Sequence, residues 1–322
     1  MTKLKGLILT EGMHGMISQA EGLAKVLDLD FIHEKIELGT FWKLLPPKIT
    51  PVGNFIFKNR FEHDFNVVIS CGRKSVIPSI YLKKKFKNKI INIHIQDPKV
   101  SLNNFDFIVA PEHDGLTGNN VLTSKGAIHY IKQEEIKESK NYLIDKFQLS
   151  NYFNEDRLVT IILGGPNKYY SFSNMDLIKI FEKIKTNFID SGYQVIIIPS
   201  IRTPQRIIKI AQEFFDKKEL VIINVDKQAY LSALAMAKYI VVTCDSTSMI
   251  SEAATTGKPI YVAQMPAIKN NQRFKNFFNL FESLNIIKEL NNSVENWTYT
   301  TLNETNKIAN QIREKIKQHD FS

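Results

Sequence analysis

Long apolar runs are missing from this sequence, and so are most short motifs that announce a common chemistry. No stretch approaches the roughly 18–20 apolar residues that a membrane-spanning helix needs. At the amino terminus residues 6–10 are apolar, but Glu11, Gly12 and Gly15 follow instead of a small-residue cleavage site, unlike a secretory signal. The chain is therefore expected to be soluble, not exported, and cytoplasmic. Two cysteines, Cys71 and Cys244, are too few for a disulfide framework. Each ends an apolar run, as a small buried thiol in a reducing compartment would. No H-x-x-x-H or C-x-x-C pattern occurs, so no protein-bound metal is expected. Neither G-x-G-x-x-G nor a Gly-Lys-Ser/Thr phosphate loop is present. The net charge of +9 invites a nucleic-acid reading. With no helix-turn-helix, RNA-recognition signature or zinc module to support it, nucleic acid is not expected as a partner.

What is present is alternation. At 322 residues, with about 100–200 per domain, two domains are expected. Apolar runs at 4–10, 31–38, 67–71, 90–96, 105–110 and near 121 read as strands, with helices at 17–27, 75–86 and 133–146. A second series places strands at 158–163, 194–199, 220–224, 239–243 and 260–263, and helices at 174–190, 204–217, 229–237 and 248–256. Such alternation implies βαβ crossovers and mostly parallel sheets. Continuous runs such as Val195-Ile196-Ile197-Ile198 fit strands buried on both faces. Polar residues crowd 149–157, where a fresh series begins. The expected fold is α/β, with two Rossmann-like doubly wound domains facing a cleft. The N-terminal domain spans 1–150 and the C-terminal domain 151–302, and a last helix within 303–322 packs back on the first.

Charge is also clustered. Lys43, Lys48, Lys58 and Arg60 lie among Phe41, Trp42, Leu44, Phe55 and Phe57, and Lys83-Lys84-Lys85-Phe86-Lys87 closes a predicted helix. Basic residues mixed with aromatics suit either an anionic membrane surface or a solvated face beside the core.

Ligands of open parallel sheets bind beyond the carboxyl ends of the strands, where helix amino termini present free N–H groups. After the first strand come Glu11, Gly12 and Gly15, with Gln19 in the following helix. The glycines allow a tight turn and close backbone approach to a ligand. Arg73 and Lys74 follow Gly72 at a helix start, where the helix dipole disfavours cations and an anion would be welcome. Asp97 and His113 stand just past later strand ends, as a general base or a sugar-orienting group would. In the second half Gly164, Gly165 and Asn167 can offer backbone N–H groups to a pyrophosphate. Arg202 can pair with phosphate, while Thr203 reads as the cap of a helix begun by Pro204. Asp245, Ser246 and Ser248 sit at another helix start, with Glu252 one turn beyond Ser248 on the same face. A helix cap near the capping-box spacing is the structural alternative there.

The motifs T-E-G-M-x-G-M-x-x-Q from Thr10, S-C-G-R-K-S from Ser70, H-I-Q-D-P from His94 and A-P-E-H-D from Ala110 occur in that order. They are followed by L-G-G-P-N from Leu163, R-T-P from Arg202, and T-C-D-S-x-S-M-x-S-E-A-x-x-T-G-K-P from Thr243. Together they resemble the mitochondrial-fission family of plants and its bacterial relatives. They are also similar to nucleotide-sugar glycosyltransferases of the two-domain GT-B architecture. The resemblance implies a transferase that needs no metal or bound cofactor and takes a nucleotide-diphosphate sugar as donor. It implies work in surface-polysaccharide or lipooligosaccharide assembly, with a lipid-linked acceptor at the cytoplasmic face of the inner membrane. Donor-binding positions would be Gly12, Gly15, Gln19, Arg73, Gly164, Gly165, Asn167, Arg202, Asp245, Ser246 and Ser248, with Glu252 on the ribose. Glu11 would be the catalytic base, with Asp97 and His113 as rivals. A non-enzymatic membrane-associated scaffold and a nucleotide-sugar epimerase are the alternative readings.

Overall fold

The computed structural model describes residues 3–61, 64–148, 154–215, 219–224, 226–291 and 293–319. It divides into two compact units, Met1–Tyr130 with Asn303–Ser322, and Ile131–Leu302. Residues 149–153 of the polar segment around 149–157 lie outside the described residues.

The first unit is built on a six-stranded sheet: β1 (Lys5–Thr10), β2 (Asp30–Lys35), β3 (Val67–Cys71), β4 (Ile91–Ile95), β5 (Phe107–Pro111) and β6 (Val121–Ser124). The order is β2-β1-β3-β4-β5-β6 and every pairing is parallel. Strand alternation distributes the core over both faces. Leu7, Leu9 and Val68 join one cluster, while Ile8, Val67 and Ile69 join the other. Helix α1 (His14–Val26) covers the second face with Ala20, Leu23 and Ala24. Helix α2 (Val76–Phe86) covers the first with Val76, Ile77 and Ile80.

The second unit opens with α3 (Gln133–Glu138) and α4 (Tyr142–Phe147). Its strands are β7 (Leu158–Leu163), β8 (Gln194–Pro199), β9 (Leu220–Val221), β10 (Tyr239–Thr243), β11 (Ile260–Ala263) and β12 (Ile287–Glu289). They are ordered β12-β11-β10-β7-β8-β9, again all parallel. This is the strand order of a dinucleotide-binding sheet, with its reversal between β7 and β10. The remaining helices of this unit are α5 (Asn174–Ile184), α6 (Gln205–Phe214), α7 (Lys227–Met236), α8 (Thr247–Ala254) and α9 (Gln272–Ser283). The last helix, α10 (Glu304–Ile316), returns to the first unit, where Ile308, Ala309 and Ile312 are fully buried in the cluster beneath α1. Burying each isoleucine stabilises that face by about 2 kcal/mol.

Three expectations need correction. The helix read over 133–146 is two short helices. Ser139 Oγ donates to the Glu135 carbonyl one turn back, and Ser232 of α7 takes up the groups released by the break. The Ser232 hydroxyl donates to the Lys140 carbonyl at 2.8 Å and accepts from the Leu143 N–H at 3.1 Å. Thr203 does not cap α6, whose N-cap is Pro204. Its hydroxyl instead lies within hydrogen-bond distance of the Leu163 and Gly164 carbonyls, tying the end of β7 to the loop after β8. Finally, α6 ends at Phe214, and the predicted end of that helix at Lys217 lies outside the described residues.

Candidate functional site

In doubly wound sheets the strand order reverses at a switch point, and ligands settle in the crevice it leaves. The first unit reverses between β1 and β3, whose last residues, Thr10 and Cys71, lie side by side in register. Glu11 follows Thr10 and reaches across that gap. Its Oε1 accepts the Lys74 N–H at 3.0 Å, and its Oε2 pairs with Lys74 Nζ at 3.0 Å. The carboxylate thus supplies the negative charge that the basic start of α2 lacks in its own sequence. Gly12 carries a φ of +84°, and its N–H donates to Thr10 Oγ1 at 3.0 Å. Gly15 lies in the first turn of α1, and a Cβ there would meet nothing within 4 Å. Gln19 is buried and donates back to the Gly15 carbonyl. Arg73 is exposed, and its guanidinium donates to the Lys43 carbonyl at 2.5 Å.

The two other candidate bases stand at neighbouring strand ends. Asp97 follows β4; burial pushes its carboxyl up, but the Lys99 side chain and N–H outweigh this and hold it below the usual carboxylate range. His113 is buried, its Nε2 3.6 Å from Asp114 Oδ1. His94 belongs to the core: its Nδ1 pairs with Ser70 Oγ at 2.8 Å, and burial lowers its pKa to about 3.

The second switch point, between β7 and β10, gathers most of the remaining candidates around one carboxylate. Asp245 is buried and accepts from Thr243 Oγ1 at 2.7 Å, from the Gly165 N–H at 3.2 Å and from Arg202 Nη2 at 2.8 Å. Burial pushes its pKa up, against the pull of Arg202, Thr243 and the Gly165 N–H. The Gly164 N–H donates to Thr243 Oγ1. A Cβ on Gly164 would collide with the Asp245 carboxylate, and one on Gly165 with the Arg202 carbonyl. These glycines are required by contact within the chain, and their N–H groups point at Thr243 and Asp245 in place of a ligand. Asn167 braces the loop from the other side, donating to the Asp245 carbonyl and accepting the Tyr169 and Tyr170 N–H groups.

Helix α8 starts from this cluster. Ser246 is its N-cap and accepts the Met249 N–H. Among the described residues no acceptor meets the N–H groups of Thr247 and Ser248, and the Ser248 hydroxyl has no partner. Glu252 is buried one turn further on; burial raises its pKa to about 7, and Tyr230 on α7 donates to its Oε2 at 3.0 Å. Tyr230 and Thr243 were not predicted as site residues: Tyr230 is far from Glu252 in sequence, and Thr243 reads as the last residue of a strand. Lys258 closes the same motif structurally, donating to the Leu234 and Ala235 carbonyls at the end of α7. Among the described residues no group of three or more His, Cys, Asp or Glu side chains could hold a metal ion. No helix among them is long and apolar enough to cross a membrane.

Solved structures with this fold include a UDP-GlcNAc 2-epimerase from Neisseria meningitidis bound to UDP-GlcNAc. It shares 12% identity at a TM-score of 0.54, covering 98% of this chain and 100% of that one. The catalytic domain of starch synthase IV from Arabidopsis thaliana, bound to ADP and acarbose, shares 8% at 0.51, covering 99% of both. At such identities the likeness establishes the fold alone, a GT-B-like pair of Rossmann-type units. Among sequences, the uncharacterized protein RP120 of Rickettsia prowazekii is 29% identical over 78% of this chain and 80% of its own length. The mitochondrial fission protein ELM1 of Arabidopsis thaliana is 25% identical over 80% of this chain, but the match spans only 65% of that protein. The family model described as mitochondrial fission ELM1 matches residues 14–316, nearly the whole sequence, and the chain belongs to that family.

Proposed function

We propose that the second unit holds the nucleotide diphosphate of a sugar donor at its switch point. The protein is then a glycosyltransferase that passes the sugar to a hydroxyl acceptor. The observation that carries this reading is the amino end of α8. There the Thr247 and Ser248 N–H groups and the Ser248 hydroxyl are unspent among the described residues, and Arg202 is fixed nearby by Asp245. Helix N–H groups and a bidentate-capable guanidinium are what a diphosphate leaving group needs as charge develops on it. Glu252, buried with one hydroxyl partner, has acceptor capacity left for ribose hydroxyls. With the Gly164 and Gly165 N–H groups directed at Thr243 and Asp245, the phosphate role rests on the positions assigned to it beside that loop, Arg202 and the start of α8 at Ser246 and Ser248. Glu11 is assigned as the base that takes the acceptor proton. A lipid-linked acceptor of surface-polysaccharide or lipooligosaccharide assembly, met at the cytoplasmic face of the membrane, completes the proposal.

Thermal-shift screening against nucleotide diphosphates and their sugars tests it. A ligand at about 100 times its Kd adds ~2.7 kcal/mol of stability. One nucleotide class is expected to raise the melting temperature, with Arg202→Ala and Glu252→Ala abolishing the response. Silence across the whole panel would leave the fold without its donor and move the protein to the scaffold reading.

A further inference from the structure

We propose that the excursion between β2 and β3 docks the protein on an anionic lipid surface, with a headgroup phosphate entering the lysine-lined cavity beside it. The excursion is clasped at its base, where the Gly39 N–H donates to the Ile56 carbonyl at 2.9 Å and Leu38 bridges Phe57. Within it Trp42 packs edge-on against Phe41 and Phe55, with ring centroids 5.0 and 5.8 Å away. Despite that packing, Phe41, Leu44, Ile49 and Phe55 are 62%, 79%, 63% and 63% exposed. Single exposed apolar residues are ordinary, but Phe41 and Phe55 expose two large rings packed on the same Trp42, and Leu44 and Ile49 add two more large apolar side chains on the same excursion.

A cavity of about 490 Å³ adjoins it, lined by Lys48, Thr50, Lys84, Lys99, Ser101 and Asn104 among others. Exposed Ile49 lies between two of these lining residues, Lys48 and Thr50, and so stands beside the cavity. The excursion carries Lys43, Lys48, Lys58 and Arg60 against Glu37, Glu62 and Asp64, and residues 76–90, α2 and the turn after it, add Lys83, Lys84, Lys85, Lys87 and Lys89 with no carboxylate. Of these cations Lys83 is neutralised by Asp106, and Lys99 in the cavity lining pairs with Asp97. Lys48 and Lys84 have no acidic partner among the described residues. Apolar side chains projecting beside unpaired cations match the bilayer interface, where phosphates meet acyl chains. A free phosphate in the cavity would leave the apolar patch uncovered, which favours the lipid surface. This inference stands apart from the nucleotide proposal, because it uses only first-unit residues that the proposed donor site does not.

Flotation of the full chain with vesicles tests it. Vesicles of phosphatidylcholine with phosphatidylglycerol are expected to carry the protein, and phosphatidylcholine alone is not. Lys48→Gln and Lys84→Gln should each weaken binding about fivefold, the equivalent of ~1 kcal/mol per cation at an anionic surface. Phe41→Ser with Leu44→Ser should abolish flotation while circular dichroism and the nucleotide thermal shift stay unchanged. Equal binding to both vesicle types, binding to neither, or variants that float like the parent overturns the proposal. A rise in melting temperature with glycerol phosphate, without vesicle binding, also overturns it and identifies a free-phosphate site.

Discussion

Glu11 holds Lys74 twice, through the backbone N–H and through the ammonium, each at 3.0 Å. One side chain from the end of β1 thereby satisfies the start of the helix that follows β3. Removing it as Glu11→Ala should destabilise the chain by about 1–2 kcal/mol in urea unfolding, as loss of a helix cap does. Glu11→Gln keeps an acceptor for the Lys74 N–H and should lose much less. The same conservative variant separates clamp from base. Transfer activity should vanish with donor affinity and stability nearly intact; retained activity would remove Glu11 from the chemistry and leave it a clamp.

Gly164 and Asp245 should behave as one unit. Gly164→Ala forces a Cβ into the Asp245 carboxylate, and Asp245→Ala strands the Gly165 N–H and the Thr243 hydroxyl. Each is expected to cost about 3 kcal/mol. Asp245→Ala removes the obstacle, so Gly164→Ala should cost distinctly less in that background. Strictly additive losses in a double-mutant cycle would refute the contact.

Glu252 makes stability and binding depend on pH in opposite directions. Its folded pKa, about 7, lies above the ordinary 4.5, so the folded chain keeps a proton that the unfolded chain releases. Stability therefore falls as pH rises from about 4.5 to 7 and is level beyond. The loss from this group is of order 3 kcal/mol. Glu252→Gln, still an acceptor for Tyr230, should flatten that slope and be the more stable protein above neutrality. Ribose hydroxyls donate to the ionised form, so affinity for a nucleotide sugar should rise through neutral pH in the parent and not in the variant. A parental stability profile that is flat over this window would mean that Glu252 is already ionised in the fold.

Gly15 offers a cleaner test of ligand approach than the second-unit glycines. A Cβ there meets nothing within 4 Å, so Gly15→Ala should be neutral or stabilise α1 by about 0.5 kcal/mol. A loss of ligand affinity at full stability would assign that space to a ligand. Unchanged affinity would make the glycine incidental.

The alternation of apolar runs and amphipathic stretches was legible because strands buried on both faces leave continuous β-branched runs, as at Val195–Ile198. Positions just past strand ends were legible for the same reason, since parallel topology dictates where ligands and helix starts must lie. Helix α9 was not read. It buries Phe274, Phe277, Phe278 and Phe281 on one face of an otherwise polar stretch, and aromatic residues carry little helix propensity of their own.

The sequence by itself determined the α/β class, the parallel sheets and the family, because these follow from local periodicity and ordered motifs. Only the tertiary structure decided the strand order, since several right-handed crossover arrangements bury the same apolar runs. It also decided that Asp245 and Thr243 occupy the N–H groups of Gly164 and Gly165, leaving the amino end of α8 open. Hydrogen bonds between residues some eighty positions apart depend on which strand ends become neighbours, and no local pattern encodes that.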